Sequence, residues 1–311
     1  MFIYICKRML GAIMVLFAVS FLTFFLLDLT PGDAAERVAG TEASAEQLAE
    51  LREAMGLNDP VLVRYGQYIG AAVLQGNLGE SLVSGRPVSE MLAQRFGYTA
   101  MLAFSAVGIA LIAGTLLGML AASRPGGRFD LALMILVALG QAMPTFWVAL
   151  LLIMIFALYL NWLPVVGAGT LSHLILPTIA LALPTAAVVT RLVRASMLDV
   201  RGADYVRTAR SKGLRDRIIW QRHLLRNGLV PVATMVGLHL GYMLGGAFII
   251  ETIFSWPGLG RLMVQAIFDR DLPVIAGAVL LFAVIIQLVN LAVDILQLWL
   301  DPRLRVDPAV G

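Results

Sequence analysis

Five stretches of this chain contain no Asp, Glu, Lys or Arg: residues 9–27, 96–122, 131–190, 227–250 and 272–293. An α-helix needs about 20 apolar residues to cross the hydrocarbon core of a bilayer, so each stretch is long enough to span it. The third, at 60 residues, is long enough for two spans. It divides at 161–172, where Asn161, Pro164, Gly167 and Gly169 mark a short turn. The sequence therefore predicts an all-α integral membrane protein with six transmembrane helices, and an even number puts both termini on one side. Composition agrees: 59% of residues are hydrophobic and 14% charged, against roughly 25% charged in soluble domains. The mean hydropathy is +0.86. Two soluble domains, the ordinary reading of 311 residues, are excluded.

The basic residues set the orientation, because Lys and Arg accumulate on the cytoplasmic side of spanning helices. With the N-terminus inside, the cytoplasmic segments 1–8, 123–130, 191–226 and 301–311 hold 16 of the 23 basic residues. The other seven are Arg37, Arg52, Arg64, Arg86, Arg95, Arg261 and Arg270. Lys7 and Arg8 precede an apolar run too long for a cleaved leader, and no small-residue cleavage site follows, so the first span reads as a retained anchor. The single cysteine, Cys6, permits no internal disulfide. The net charge of +3 follows topology and gives no ground for a nucleic-acid partner.

Four regions result: a cytoplasmic N-terminus with the first span (1–30), a small outer helical loop (31–95), a five-helix core (96–300) and a cytoplasmic tail (301–311). In the outer loop, Ser44-Ala-Glu-Gln47 has the spacing of a capping box, and Leu48, Leu51 and Met55 form a helical stripe ended by Gly56. Asp59-Pro60 starts a second short helix reaching about Gln75. Two amphipathic helices of this size form a cap over the membrane. The core carries an inner loop at 191–226, in which Asp204 reads as an N-cap, Tyr205 and Ala209 lie one turn apart, and Gly213 reads as the C′ stop. Asp216 can cap a further helix through Trp220 into the fifth span. Such a loop is either a solvated positive-inside connector or a docking element for a cytoplasmic partner.

At this loop the chain resembles a known family. Asp204-Tyr-Val-Arg-Thr-Ala-Arg-Ser-Lys-Gly213, followed by Arg222-His-Leu-Leu-Arg-Asn227 and Pro231, is similar to the EAA loop of ABC-importer permeases, above all those importing dipeptides, oligopeptides and nickel complexes. The likeness runs along the whole chain. It includes Arg8 before the first span, Thr30-Pro-Gly-Asp33, Asn58-Asp-Pro60, Gly76-Asn-Leu-Gly-Glu-Ser81 and Arg86-Pro-Val88. Further on come Trp162-Leu-Pro164, Leu174-Ile-Leu-Pro177, the run from Glu251 through Trp256-Pro-Gly-Leu-Gly260, Arg270-Asp271 and Asp301-Pro-Arg303. The Glu-Ala-Ala positions hold Arg207, Thr208 and Ala209, and the usual Leu-Pro falls on Leu225-Arg226, departures that the peptide-permease subgroup shares.

The resemblance implies a type I importer architecture in the bacterial inner membrane. It implies four kinds of partner: a homologous second permease, two cytoplasmic ATPase subunits, an extracytoplasmic substrate-binding protein and the lipid bilayer. It places Asp204, Tyr205, Arg207, Thr208, Ala209, Arg210 and Gly213 on a coupling helix that lies in a groove of the ATPase. The chain has no G-x-x-x-x-G-K-[ST] run, its only Lys-Gly pair being Lys212-Gly213. ATP and Mg are therefore expected on the partners, with no cofactor or metal bound by this chain and no catalysis. Small peptides are the implied substrate and nickel complexes the alternative. An ion-coupled secondary transporter is the remoter one, with Asp294 as its single candidate ion ligand.

Three further patterns bear on the path. Gly237, Gly241 and Gly245 recur every four residues, a small-xxx-small face that allows close helix approach. Met235, His239 and Met243 recur on the opposite face, as core filling with a hydrogen-bonding histidine or as soft ligands lining a metal-bearing substrate's path. Tyr242 joins these as a candidate path residue. Gln287, Asn290, Asp294 and Gln297 form one polar face of the last span, either bonding between helices or lining the path. Trp256 is expected at the headgroups, and Pro144, Pro177 and Pro184 are expected to kink their spans.

Overall fold

The computed structural model describes residues 2–29, 35, 43–54, 56–213 and 230–300. Outside them lie Met55, the Thr30-to-Asp33 motif, the expected helix from Asp216 through Trp220, the Arg222-to-Asn227 motif and the tail with Asp301 and Arg303. Eleven helices are described: α1 Phe2–Asp28, α2 Ala45–Ala54, α3 Val61–Gln75, α4 Val88–Ser123, α5 Arg128–Ala142, α6 Thr145–Leu152, α7 Leu171–Gly202, α8 Asp204–Ser211, α9 Val230–Ile253, α10 Leu259–Phe268 and α11 Leu272–Leu300. A π-helical segment, Ile153–Tyr159, continues α6.

The chain divides into two units, with α4 and α11 contributing to both. The first is Met1–Gly97 with Gly258–Leu288. Its outer loop forms as its local chemistry dictates. Gln47 N donates to Ser44 Oγ at 3.3 Å and Ser44 N donates to Gln47 Oε1 at 3.0 Å, which is the reciprocal capping box. Pro60 precedes α3, and Gly76 ends it at φ 65°.

The loop does not sit only as a cap. Tyr65 on α3 lies within 2.7 Å of the Ser20 hydroxyl and donates to the Phe17 carbonyl at 3.3 Å, with its ring edge-on to Phe21. Arg64 pairs with Asp28 at the C-terminal end of α1. Phe17 lies about 16 Å along the helix from Asp28, so α3 is strapped to the flank of α1. An aromatic side chain reaches inward where a loop would not. Further along, buried Asp271 accepts from the Ser81 hydroxyl at 2.5 Å and Leu82 N at 3.1 Å, fastening the turn after α3 to the start of α11.

The second unit is Tyr98–Pro257 with Val289–Gly311. Helix α7 is central to it, with α5, α6 and α9 packed on it. Its core is built of small and branched residues, among them Leu102, Ala106, Ala180, Val193, Met197 and Ile250. Helix α4 crosses α7 at backbone distance: a Cβ on Gly114 would lie 2.8 Å from the Ala186 carbonyl oxygen, and one on Gly118 would lie 2.7 Å from that of Thr190. The small-xxx-small crossing therefore uses Gly114 and Gly118. Gly241 and Gly245 of α9, where close approach was expected, have no such neighbour in the described chain.

The long apolar stretch is broken twice. The expected turn is present, with Asn161 at φ 52° and Gly167 and Gly169 at φ 109° and 128°. A second break falls at 143–144, where the chain bends by 104° between α5 and the helix that follows. Pro144 has no N–H to continue the ladder and forces Met143 into extended backbone, ψ 130°. Pro177 and Pro184, expected to kink their span, both lie inside the continuous helix α7.

Four described helices are long and apolar enough to cross a membrane, and the bent pair makes five when taken as one span. The expected fifth span, 227–250, overlaps α9, described from Val230, of which Met243–Ile253 counts only as a shorter apolar helix. Trp256 is not at the headgroups: it is wholly buried, its Nε1 donates to the Tyr98 carbonyl at 3.0 Å, and its ring stands edge-on to Tyr98. The indole is a core residue there because its one polar atom has a buried acceptor.

Candidate functional site: the α8 surface and the path-facing helices

Helix α8 hangs from the end of α7 by one residue. Ala203, extended at ψ 146°, ends α7, and its carbonyl accepts from Val206 N at 3.0 Å and Arg207 N at 3.2 Å. Ala203 thus holds the capping position, and Asp204, expected there, is the first helical residue instead. Its carboxylate still suits the positive end of the helix dipole. Gly213 is left-handed at φ 76°, as the C′ reading requires, with open space where a Cβ would stand.

The helix has two sides. Val206 is wholly buried, while Asp204, Tyr205, Arg207 and Thr208 are exposed. Arg207 lies 3.9 Å from Asp204, a loose surface pair. Thr208 Oγ1 and Ser211 Oγ donate back to the carbonyls of Asp204 and Arg207, so neither hydroxyl competes for the exposed face. Ala209 and Arg210 continue the helix, and their side chains lie outside the described residues. One buried residue and a polar, aromatic exposed face give the helix two unlike sides.

Beneath α8 the structure places an ion pair that sequence reasoning missed. Asp130, in the first turn of α5 and 3% exposed, accepts two bonds from Arg194 of α7. Nε donates to Oδ1 and Nη2 to Oδ2, each at 2.7 Å. Gly126 N adds a third bond to Oδ2 at 2.9 Å. Charge-assisted, fork-to-fork geometry fixes angle as well as distance. A lone carboxylate opening a 60-residue charge-free run, with arginines at the run's far end, was the available signal.

The expected path residues lie on two helices, α9 and α11. Met243 is 1% exposed and belongs to the hydrophobic core, so it fills a gap as methionine commonly does. His239 and Met235, one and two turns earlier on α9, are half-buried. The Tyr242 side chain lies outside the described residues. Asn290 and Asp294 are half-buried one turn apart on α11. A second missed pair is Glu251 of α9, wholly buried, which accepts from the Thr99 hydroxyl at 2.6 Å.

Comparison with known proteins defines the class. Residues 114–306 match the family described as the binding-protein-dependent transport system inner membrane component, and residues 1–103 match its N-terminal companion. The chain belongs to the inner-membrane permeases of ABC importers, in the family that serves dipeptide, oligopeptide and nickel transport. It is a multi-pass membrane subunit of such an importer.

Among individual relatives, the glutathione transport system permease protein GsiC of Escherichia coli O6:H1 is 42% identical over 302 residues, covering 97% of this chain and 98% of GsiC. The GsiC of Salmonella choleraesuis is 43% identical over the same length, with the same coverage. In fold, the chain resembles an inward-facing MetNI methionine ABC transporter at TM-score 0.58 and 16% identity, covering 68% of this chain and 96% of that one. An amino acid ABC transporter with histidines aligns at TM-score 0.53 and 16% identity, covering 67% and 94%.

Proposed function

We propose that this permease carries small peptides or peptide-like solutes, with glutathione, a tripeptide with a γ-linked glutamate, the first to test. The observation that carries the substrate class is the 42–43% identity, over nearly the whole of both chains, to permeases named for glutathione transport. The permease works with a homologous second permease, two ATPase subunits and a substrate-binding protein that delivers the solute. ATP and Mg belong to the ATPases, and this chain supplies the path and the contact. It spans the membrane six times with both termini in the cytoplasm. Helix α8 lies in a groove of one ATPase, with Tyr205, Arg207, Thr208, Ala209 and Arg210 toward it and Gly213 ending the helix. Closure of the ATPases on ATP then shifts the permease pair between inward- and outward-open states. The buried Val206 and the exposed Tyr205 and Arg207 support that reading, since a docking helix needs an anchor as well as a face.

The test is the assembled importer with its own binding protein in vesicles, supplied in turn with labelled glutathione, dipeptides and a nickel chelate. ATP-dependent uptake of glutathione or dipeptides is the expected result. Uptake of the nickel chelate alone would overturn the peptide assignment in favour of the nickel branch. Uptake driven by an ion gradient without ATP would overturn the coupling scheme.

A further inference from the structure

The Asp130–Arg194 clasp stands where two mechanical parts of the chain meet. On one side is α7, whose last residues after Arg194 lead to Gly202, to the single linking residue Ala203, and so to α8. Arg194 is about two turns from that end, close enough to α8 that a rigid helix carries displacement from one to the other. On the other side is α5, which runs from the clasp to the 104° bend at 143–144. Apolar contacts between α5 and α7 resist separation but not slippage, because dispersion and burial have no direction. A bidentate pair does have direction. It holds two planar groups edge to edge, and the Gly126 N–H bond holds the carboxylate from behind.

We propose that Asp130 and Arg194 are positioning residues of the transport cycle: their clasp makes α5 follow α7 when α8 is displaced, so that movement at the cytoplasmic surface arrives at the bend above. The role needs no contact of either residue with the ATPase or the solute. The proposal rests on the reading of α8 as the docking helix. It adds that part of the drive reaches the path through a charge pair buried at one partner and half-buried at the other.

The experiment uses the complete importer in vesicles, carrying Asp130→Asn or Arg194→Lys. Asparagine keeps the shape and loses the charge, and lysine keeps the charge and loses the fork. Three quantities are read: ATPase co-purified per permease, ATP hydrolysed, and solute taken up per ATP. The expected result is wild-type co-purification and continuing hydrolysis, with uptake per ATP lowered about fivefold or more, the range of an ordinary coupling free energy. Unchanged uptake per ATP in both variants overturns the proposal. So does a proportional fall of complex, hydrolysis and uptake in both, because that is what a merely structural tie would give. Failure of the docking reading shows elsewhere: Gly213→Val and Ala209→Trp would then give wild-type co-purification, hydrolysis and uptake.

Discussion

A carboxylate with no exposed surface needs donors, and Thr99 supplies one to Glu251 at 2.6 Å. Removing the donor strands part of a buried acceptor, which costs about 1–3 kcal/mol, whereas keeping the shape and the acceptor oxygen costs less. Thr99→Val should therefore lower the thermal midpoint of the detergent-purified permease more than Glu251→Gln does. Equal and negligible shifts in a fluorescence-monitored melt would show the bond to be dispensable. Neither residue stood out in sequence except within a longer motif. The pairing joins positions 152 apart in the chain, and nothing in a local pattern records which carboxylate will meet which hydroxyl. The same holds for Asp130 and Arg194, where a basic-residue count treats the arginine as loop charge. Trp256 misled for a related reason: its amphipathic ring fits an interface equally well, and only the buried Tyr98 carbonyl decides the matter.

Among the elements, α8 was the most legible, because its signals are local: an acidic start, two positions a turn apart and a glycine that needs a left-handed backbone. The one-residue shift of its cap from Asp204 to Ala203 reflects the extended residue that ends α7. Gly213 has no neighbour within reach of a Cβ, so Gly213→Val is penalised by backbone strain alone, about 1–2 kcal/mol. Ala209→Trp instead adds bulk to a helix proposed to lie in a close-fitting groove, where overpacking costs about 1–3 kcal/mol. Both variants should insert normally yet bring down less ATPase on purification or hydrolyse ATP without matching uptake. Wild-type values for both in co-purification, hydrolysis and uptake would reduce α8 to a solvated connector. The outer helices were legible as helices, from a capping box and a proline start. Where α3 lies was not, because Tyr65 finds Ser20 and Phe17 through the fold.

At the scale of the whole molecule, charge-free runs coincide with the four helices and the bent pair that are long and apolar enough to cross a membrane, since solvation by lipid is imposed on every residue of a span. The 104° bend at 143–144 was not legible as an angle. A proline says where a helix stops, and packing says which way the next one goes. The proposed orientation rests on the 16-to-7 division of basic residues, and its check is chemical. In a Cys6→Ser background, Glu46→Cys should react with an impermeant maleimide added outside, and Ser211→Cys should react only once the inner face is opened. The reverse pattern would turn the topology over.

The crossing of α4 on α7 at Gly114 and Gly118 has a consequence for how such a machine is able to move. Each glycine faces a backbone carbonyl and a β-branched valine, Val189 or Val193, whose χ1 is stiff, so the joint has little play. A force applied to either helix is passed to the other without backlash. The alternation proposed for this permease then has to be taken up at softer seams, with these two helices moving together as a single rigid spar.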